Sequence, residues 1–225
     1  LLASAMLTAL PNFARGLLYT NGEEGYGTGF LISPHVIATC AHNIRYKKDD
    51  AWISSKTTAF SSATGKTYKY KTCGTHGNWG GNHYRAIDYG YIFLEEPVND
   101  VYYFDLRKHI KDDEDGITNY TIAGFCQDSN YRYMYEDFGT LQTTSSTQVA
   151  SKHIFLYEMD TFAGQSGAPI FDSNGTAVGM HAYEYGCEKD EDGKSTGYLC
   201  QLNKGVYFDQ AALNFYQQAY NKYET

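Results

Sequence analysis

The sequence is short of positive charge. Its 225 residues carry 18 lysines and arginines against 26 aspartates and glutamates, a formal net charge of −8. No Lys/Arg cluster offsets that locally, so a nucleic-acid partner is not expected. Long apolar runs are missing too, and nothing approaches the roughly 20 residues of a membrane-spanning helix. The five cysteines contain no C-x-x-C pair, which argues against a structural zinc site. The acidic stretch at residues 107–116 lacks the ligand spacing and terminal glutamate of an EF-hand loop. It reads as a solvated linker between two halves. Helix signals are scarce, and there is no internal repeat strong enough to use.

What remains is the composition of an ordinary globular protein, 42% hydrophobic and 20% charged. The length suits one large all-β domain or two small lobes sharing a cleft. Twenty-two glycines and 22 tyrosines suit many turns and half-buried strands. Residues 27–33 and 35–42 read as two strands joined at Ser33-Pro34. Further short strands are expected within 51–57, 67–73, 89–95, 119–125, 139–145 and 153–159. A hairpin is expected at 168–183, turning at Asp172-Ser173-Asn174-Gly175, where Asn174-Gly175 is a strong hairpin signal. One helix is expected at about 209–221, with Ala212, Phe215, Tyr216 and Ala219 at helical spacing. The apolar opening at residues 1–10 has two open readings, the remnant of a removed leader or propeptide and a small packed helix. An odd cysteine count leaves at least one free thiol in a monomer. Cys187 and Cys200 bracket a polar segment, so a disulfide across a loop base stays open. The sequons at Asn119 and Asn174 are compatible with secretion.

Chemistry concentrates around Gly164-Gln165-Ser166-Gly167. Glycines on both sides let the backbone turn sharply and expose the hydroxyl. Such a loop also aims backbone N–H groups, here those of Gly164 and Ser166, at one point, as an oxyanion hole requires. The elbow of α/β-hydrolases is followed by a helix, whereas a strand follows here. Serine needs a base. His42, at the end of an apolar strand, is the best placed of the seven histidines. The base needs a carboxylate to fix its tautomer. Asp88 opens an apolar run, where an acid is costly unless paired. Asp100 and Asp105 are alternatives in looser, polar context.

Three ordered motifs then carry a family resemblance. Thr39-Cys40-Ala41-His42 is similar to the T-A-A-H motif of chymotrypsin-like peptidases. Residues 160–169, DTFAGQSGAP, resemble the D-T-x-x-G-Q-S-G-S-P of the V8-like glutamyl endopeptidases. Gly179-Met180-His181 resembles that family's G-I-H motif. More loosely, the match runs from about Gly25 to the final helix. The resemblance implies an all-β fold of two antiparallel six-stranded β-barrels with a C-terminal α-helix. Residues 1–106 would carry His42 and Asp88, and residues 107–225 would carry Ser166. It also implies hydrolysis of peptide bonds through an acyl-enzyme, a mechanism that needs no metal or organic cofactor. Separately, the chain is expected to be a secreted monomer acting on a peptide or protein substrate. Cys40 departs from the pattern and reads as a packing thiol. Gln165 stands where trypsin-like zymogens carry an aspartate that pairs with a new N-terminus, and it cannot form that ion pair.

Thr161 and His181 match the family's pair for a glutamate side chain on the acyl side of the cleaved bond (P1). A hydroxyl and an imidazole N–H can converge on one carboxylate. Asp160 supplies a second reading, a trypsin-like pocket for Lys or Arg. Glutamine is a third, as in viral 3C-like polyprotein-processing proteases, whose similar threonine and histidine read a neutral amide. Outside catalysis, the alternative is a two-barrel binding module that kept its fold.

Overall fold

The structure, a computed structural model, describes residues 13–21, 26–48, 51–54, 58–79, 87–109, 119–126, 134–143, 154–185 and 202–224. Residues 1–10, the Cys187–Cys200 segment and most of the proposed linker lie outside them. The first half contributes β1 (Leu17–Asn21), β2 (Tyr26–Leu31), β3 (Val36–Thr39), β4 (Arg45–Lys48), β5 (Ala51–Ser54), β6 (Thr58–Ser61), β7 (Lys66–Thr75) and β8 (Gly90–Leu94). The second contributes β9 (Asp105–Leu106), β10 (Tyr120–Phe125), β11 (Met134–Gly139), β12 (Gln142–Thr143), β13 (Ile154–Tyr157), β14 (Pro169–Phe171), β15 (Thr176–Tyr185) and β16 (Leu202–Tyr207). Among the described residues one long helix, α1 (Gln210–Tyr223), follows.

Strands β1-β2-β3-β8-β7-β6 close into an antiparallel barrel, while β4 and β5 form a separate ribbon. The second sheet has eight strands in the order β11-β10-β14-β15-β16-β13-β12, with β9 parallel to β15. Its edges β11 and β12 are linked only by Thr140 and Leu141, so the sheet must curl until they nearly meet. It exceeds the six strands expected of a barrel by the two-residue strands β9 and β12.

Alternation along the strands explains the apolar runs. Leu18, Leu31 and Ile37 point into the first barrel with Ile92 and Leu94. Their neighbours Leu17, Tyr19, Phe30 and Ala38 face the other way, into a core shared with Phe125, Phe171, Met180, Phe208 and Tyr216. Strands buried on both faces read as continuous hydrophobic sequence. The hairpin β14–β15 turns at Asp172–Gly175, where Gly175 N–H donates to Asp172 O at 2.9 Å. Its centre is therefore Ser173-Asn174, one residue earlier than Asn174-Gly175. Asp172 Oδ1 explains the shift, since it accepts the N–H groups of Asn174 and Thr176 and holds the turn around itself.

Although α1 follows the second sheet, it docks on the first barrel. Asp209 caps it by accepting Ala212 N–H at 2.8 Å. Tyr216 Oη donates to Gly90 O, and Tyr223 stacks on Phe93 with ring centroids 4.3 Å apart. Beyond the helix, Glu224 Oε1 accepts from Ser33 Oγ at 2.6 Å and from His35 N–H at 2.8 Å. Burial alone would raise the Glu224 pKa, but these bonds and the His35 imidazole hold it below the usual carboxylate range. A depressed carboxylate pKa adds stability above its unfolded value of about 4.3 and loses it as pH falls through the folded value. Glu224→Ala is expected to cost about 1–3 kcal/mol, because it strands the donors of buried Ser33 and half-buried His35. Urea unfolding at neutral pH and at about pH 3 measures this; the gap between variant and wild type should narrow as the pH falls.

Candidate active site

Strand pairing brings His42 and Asp88 together. β3 and β8 run antiparallel with Thr39 opposite Gly90. Carrying that register past the strand ends sets the turn Ala41–Asn43 beside the segment preceding Gly90. Asp88, fully buried, accepts His42 N–H on Oδ1 at 2.9 Å and lies 2.6 Å from His42 Nδ1 through Oδ2. A buried carboxylate is tolerable with both oxygens bonded. Burial alone would lower the His42 pKa, but the charge and hydrogen bond of Asp88 outweigh it, so the net shift is upward.

Ser166 comes from the second sheet, in the loop that leads into β14. Gly164 and Gly167 have φ of +99° and +88°. At Gly167 a Cβ would sit 2.1 Å from Thr28 O and 2.5 Å from Thr39 Oγ1, so that position admits only glycine. Ser166 O accepts Thr28 N–H at 2.9 Å and Asn43 Nδ2 at 2.7 Å. Asn43 also donates to Thr39 Oγ1 at 2.9 Å, so the residue beside His42 clips the serine loop to the histidine turn. The Ser166 hydroxyl donates to Ala182 O at 3.4 Å, and the His42 ring packs on Tyr183 at 5.2 Å between centroids. Hydroxyl and imidazole thus lie against adjacent residues of β15, Ala182 and Tyr183. Catalytic hydrogen bonds are often long before substrate binds.

His181 lies on β15, 4% exposed. Its backbone accepts Gly167 N–H at 2.8 Å and the Cys40 thiol at 3.1 Å. Burial first, then the charge of Asp88, pushes the Cys40 thiol well up, so it stays protonated and donates. Its full burial matches the packing reading, and its bond also joins the two halves. His181 Nδ1 lies 2.5 Å from Tyr157 Oη, which is 3.3 Å from Lys204 O. Burial and then repulsion from His42 lower the His181 pKa to about 3, so the ring is uncharged. A Tyr157 hydroxyl that donates to Nδ1 leaves the ring proton on Nε2, whereas one that donates to Lys204 O leaves it on Nδ1. Thr161 is half-buried in the loop before Gly164. Asp160 is exposed, and its N–H donates to Asp137 Oδ2 at 2.6 Å.

Sequence reasoning missed Asn43, Thr28 and Tyr157, each of which works through a partner far away in the chain. Only the asparagine directly after His42 offered a local signal.

An imidazole fixed by a buried carboxylate on one barrel, facing a serine loop from a second sheet, is the arrangement of the chymotrypsin-like serine peptidases. The chain belongs to the trypsin-like peptidase domain family, whose model matches residues 27–180. It is similar to the extracellular metalloprotease of Bacillus subtilis strain 168, 30% identical over 174 residues, covering 72% of this chain and 53% of that protein. It is also similar to the glutamyl endopeptidase of Bacillus licheniformis, 27% identical over 165 residues, covering 71% of this chain and 49% of that protein. The chain thus spans about half the length of these relatives. Among solved structures, a Glu endopeptidase superposes with a TM-score of 0.74 at 20% identity, over 92% of this chain and 90% of the other. The thermostable serine protease AL20, from an extremophilic microorganism, gives 0.71 at 14% identity, over 93% and 98%.

The first relative's name raises the question of a metal. Among the described residues, Cys40, His42 and Asp88 are the one group whose ligand atoms come within 4.8 Å of one another. They do not fit a metal ion. The thiol is protonated and donates to His181 O, and His42 Nδ1 is held by Asp88.

Proposed function

We propose that this chain is a serine endopeptidase that hydrolyses peptide bonds through an acyl-enzyme and prefers glutamate at P1. The observation that supports the reading is the His42–Asp88 pair, whose ring packs on Tyr183 while the Ser166 hydroxyl bonds the carbonyl of the adjacent Ala182. His42 takes the Ser166 proton as the oxygen attacks the carbonyl. The Gly164 and Ser166 N–H groups hold the oxyanion, each worth roughly 3 kcal/mol. Protonated His42 then releases the amine, and water repeats the sequence on the ester. Its partner is a peptide or protein substrate, and its halves divide near residue 106. Secretion is supported by the name of the extracellular relative.

For P1, the Thr161 hydroxyl and the His181 ring, in the tautomer with its proton on Nε2, supply two donors to a side-chain oxygen. Glutamine is a second reading, supported by the uncharged His181, since a neutral donor serves an amide oxygen almost as well as a carboxylate. The exposed Asp160 gives less support to a basic P1. Peptides differing only at P1 test this: cleavage should fall in the order Glu, Gln, then Lys. His181→Ala should lower kcat/KM on Glu peptides about 10- to 100-fold, the loss of a hydrogen bond to a charged group. Labelling of Ser166 by an organophosphonate should survive the change. Cleavage after Lys exceeding that after Glu would overturn the Thr161/His181 assignment, and equal loss of labelling would make His181 structural.

A further inference from the structure

Gln165 is only 1% exposed, although it adjoins the serine in the loop that presents it. Its carboxamide spans two segments. Oε1 accepts Phe162 N–H at 2.7 Å, and Nε2 donates to Tyr135 O on β11 at 3.1 Å. The Gln165 backbone closes the same loop, N–H to Phe162 O at 3.0 Å and O from Ala168 N–H at 2.8 Å. Its two side-chain partners, Tyr135 and Phe162, pack ring against ring at 5.3 Å although 44% and 47% exposed. Gly164 lies inside the span so closed, its carbonyl bonded by Thr28 Oγ1 at 3.0 Å.

We propose that Gln165 is the positioning residue for the oxyanion donors, its neutral amide bridging Phe162 N–H and Tyr135 O so that the loop is set without any charged partner. This rests on the serine peptidase reading. The chemistry of the bridge selects the amide. One end must accept and the other donate, which a carboxylate cannot do and an ammonium cannot do. An ion pair at this place would titrate; a carboxamide does not.

The test uses two variants, with kcat, KM and thermal unfolding measured across pH. Gln165→Met conserves the volume and removes both hydrogen bonds. It should lower kcat about 100-fold, the scale of one lost oxyanion donor, and leave KM unchanged because that contact forms in the transition state. Gln165→Glu is more specific. When protonated, the introduced carboxyl has a carbonyl for Phe162 N–H and a hydroxyl for Tyr135 O; when ionised it repels Tyr135 O. Burial raises its pKa. Titratable groups on the two segments it bridges include Tyr135, Glu136 and Asp137 on β11 and Glu158 and Asp160 ahead of Phe162, while Gly124 of β10 lies against its Cγ. The carboxylates among them raise it further. A raised carboxyl pKa keeps the bridge intact at low pH and loses it as pH rises. The Gln165→Glu variant should therefore lose kcat on the alkaline side, giving a bell where the wild type shows a plateau. A folded Gln165→Met variant with wild-type kcat, or a Gln165→Glu profile merely scaled from the wild type, would overturn the proposal. Absence of Ser166-dependent hydrolysis in the wild type would instead overturn the peptidase reading.

Discussion

Ser166→Ala is expected to lower kcat by about a millionfold while leaving the fold intact. The size follows from the role proposed for the hydroxyl, which forms the acyl-enzyme. The harmlessness follows from the contacts. Ser166 is held through its backbone carbonyl by Thr28 and Asn43, and its hydroxyl makes only a 3.4 Å bond to Ala182 O. Stability should thus change by less than about 0.5 kcal/mol. His42→Ala should cost about as much, and the double variant little more than either alone, because the two act as one unit. Burst kinetics and organophosphonate labelling on the three variants read this out. Residual activity close to wild type in Ser166→Ala would place the chemistry elsewhere.

Asp88→Asn should be nearly as damaging, with kcat falling about 10,000-fold. Asp88 accepts two hydrogen bonds, one from the His42 backbone N–H and one from the ring. An asparagine can keep only one of those bonds. Its oxygen must stay on the backbone N–H, which always donates, so its amine turns to Nδ1. The ring proton then moves to Nε2, the atom that should receive the serine proton, and the base is blocked. Loss of the carboxylate also removes what raises the His42 pKa. A base must be neutral to act, so wild-type kcat/KM should rise with pH through a value above about 6.5. In the variant, that limb should move to lower pH. The pH–rate profiles of both proteins check the claim, and a loss of under about tenfold would contradict it.

Much of this architecture was readable from local sequence. The strands flanking Ser33-Pro34 and the helix after Asp209 appear where apolar periodicity placed them. Glycines around Ser166 signalled a constrained loop, and three ordered motifs signalled the class. Other features depend on residues that no local pattern marks. Tyr157 is one of 22 tyrosines, so its identity carried no signal until β13 and β15 brought it to His181. Asn43 and Ser166 lie 123 residues apart and meet only because two sheets share a core. Gln165 read in sequence as the loss of an ion pair; in space it is a bridge with two partners. In the β14–β15 turn, the side chain of Asp172 outweighed the dipeptide preference of Asn174-Gly175.

The docking of α1 on the first barrel bears on the order in which the fold assembles. A chain emerging from the ribosome completes its β1–β8 barrel early, but the outer surface around Gly90 and Phe93 stays bare until residues 210–224 arrive. Final assembly of this contact therefore waits for translation to pass those positions, so the first barrel can form well before its outer surface is covered.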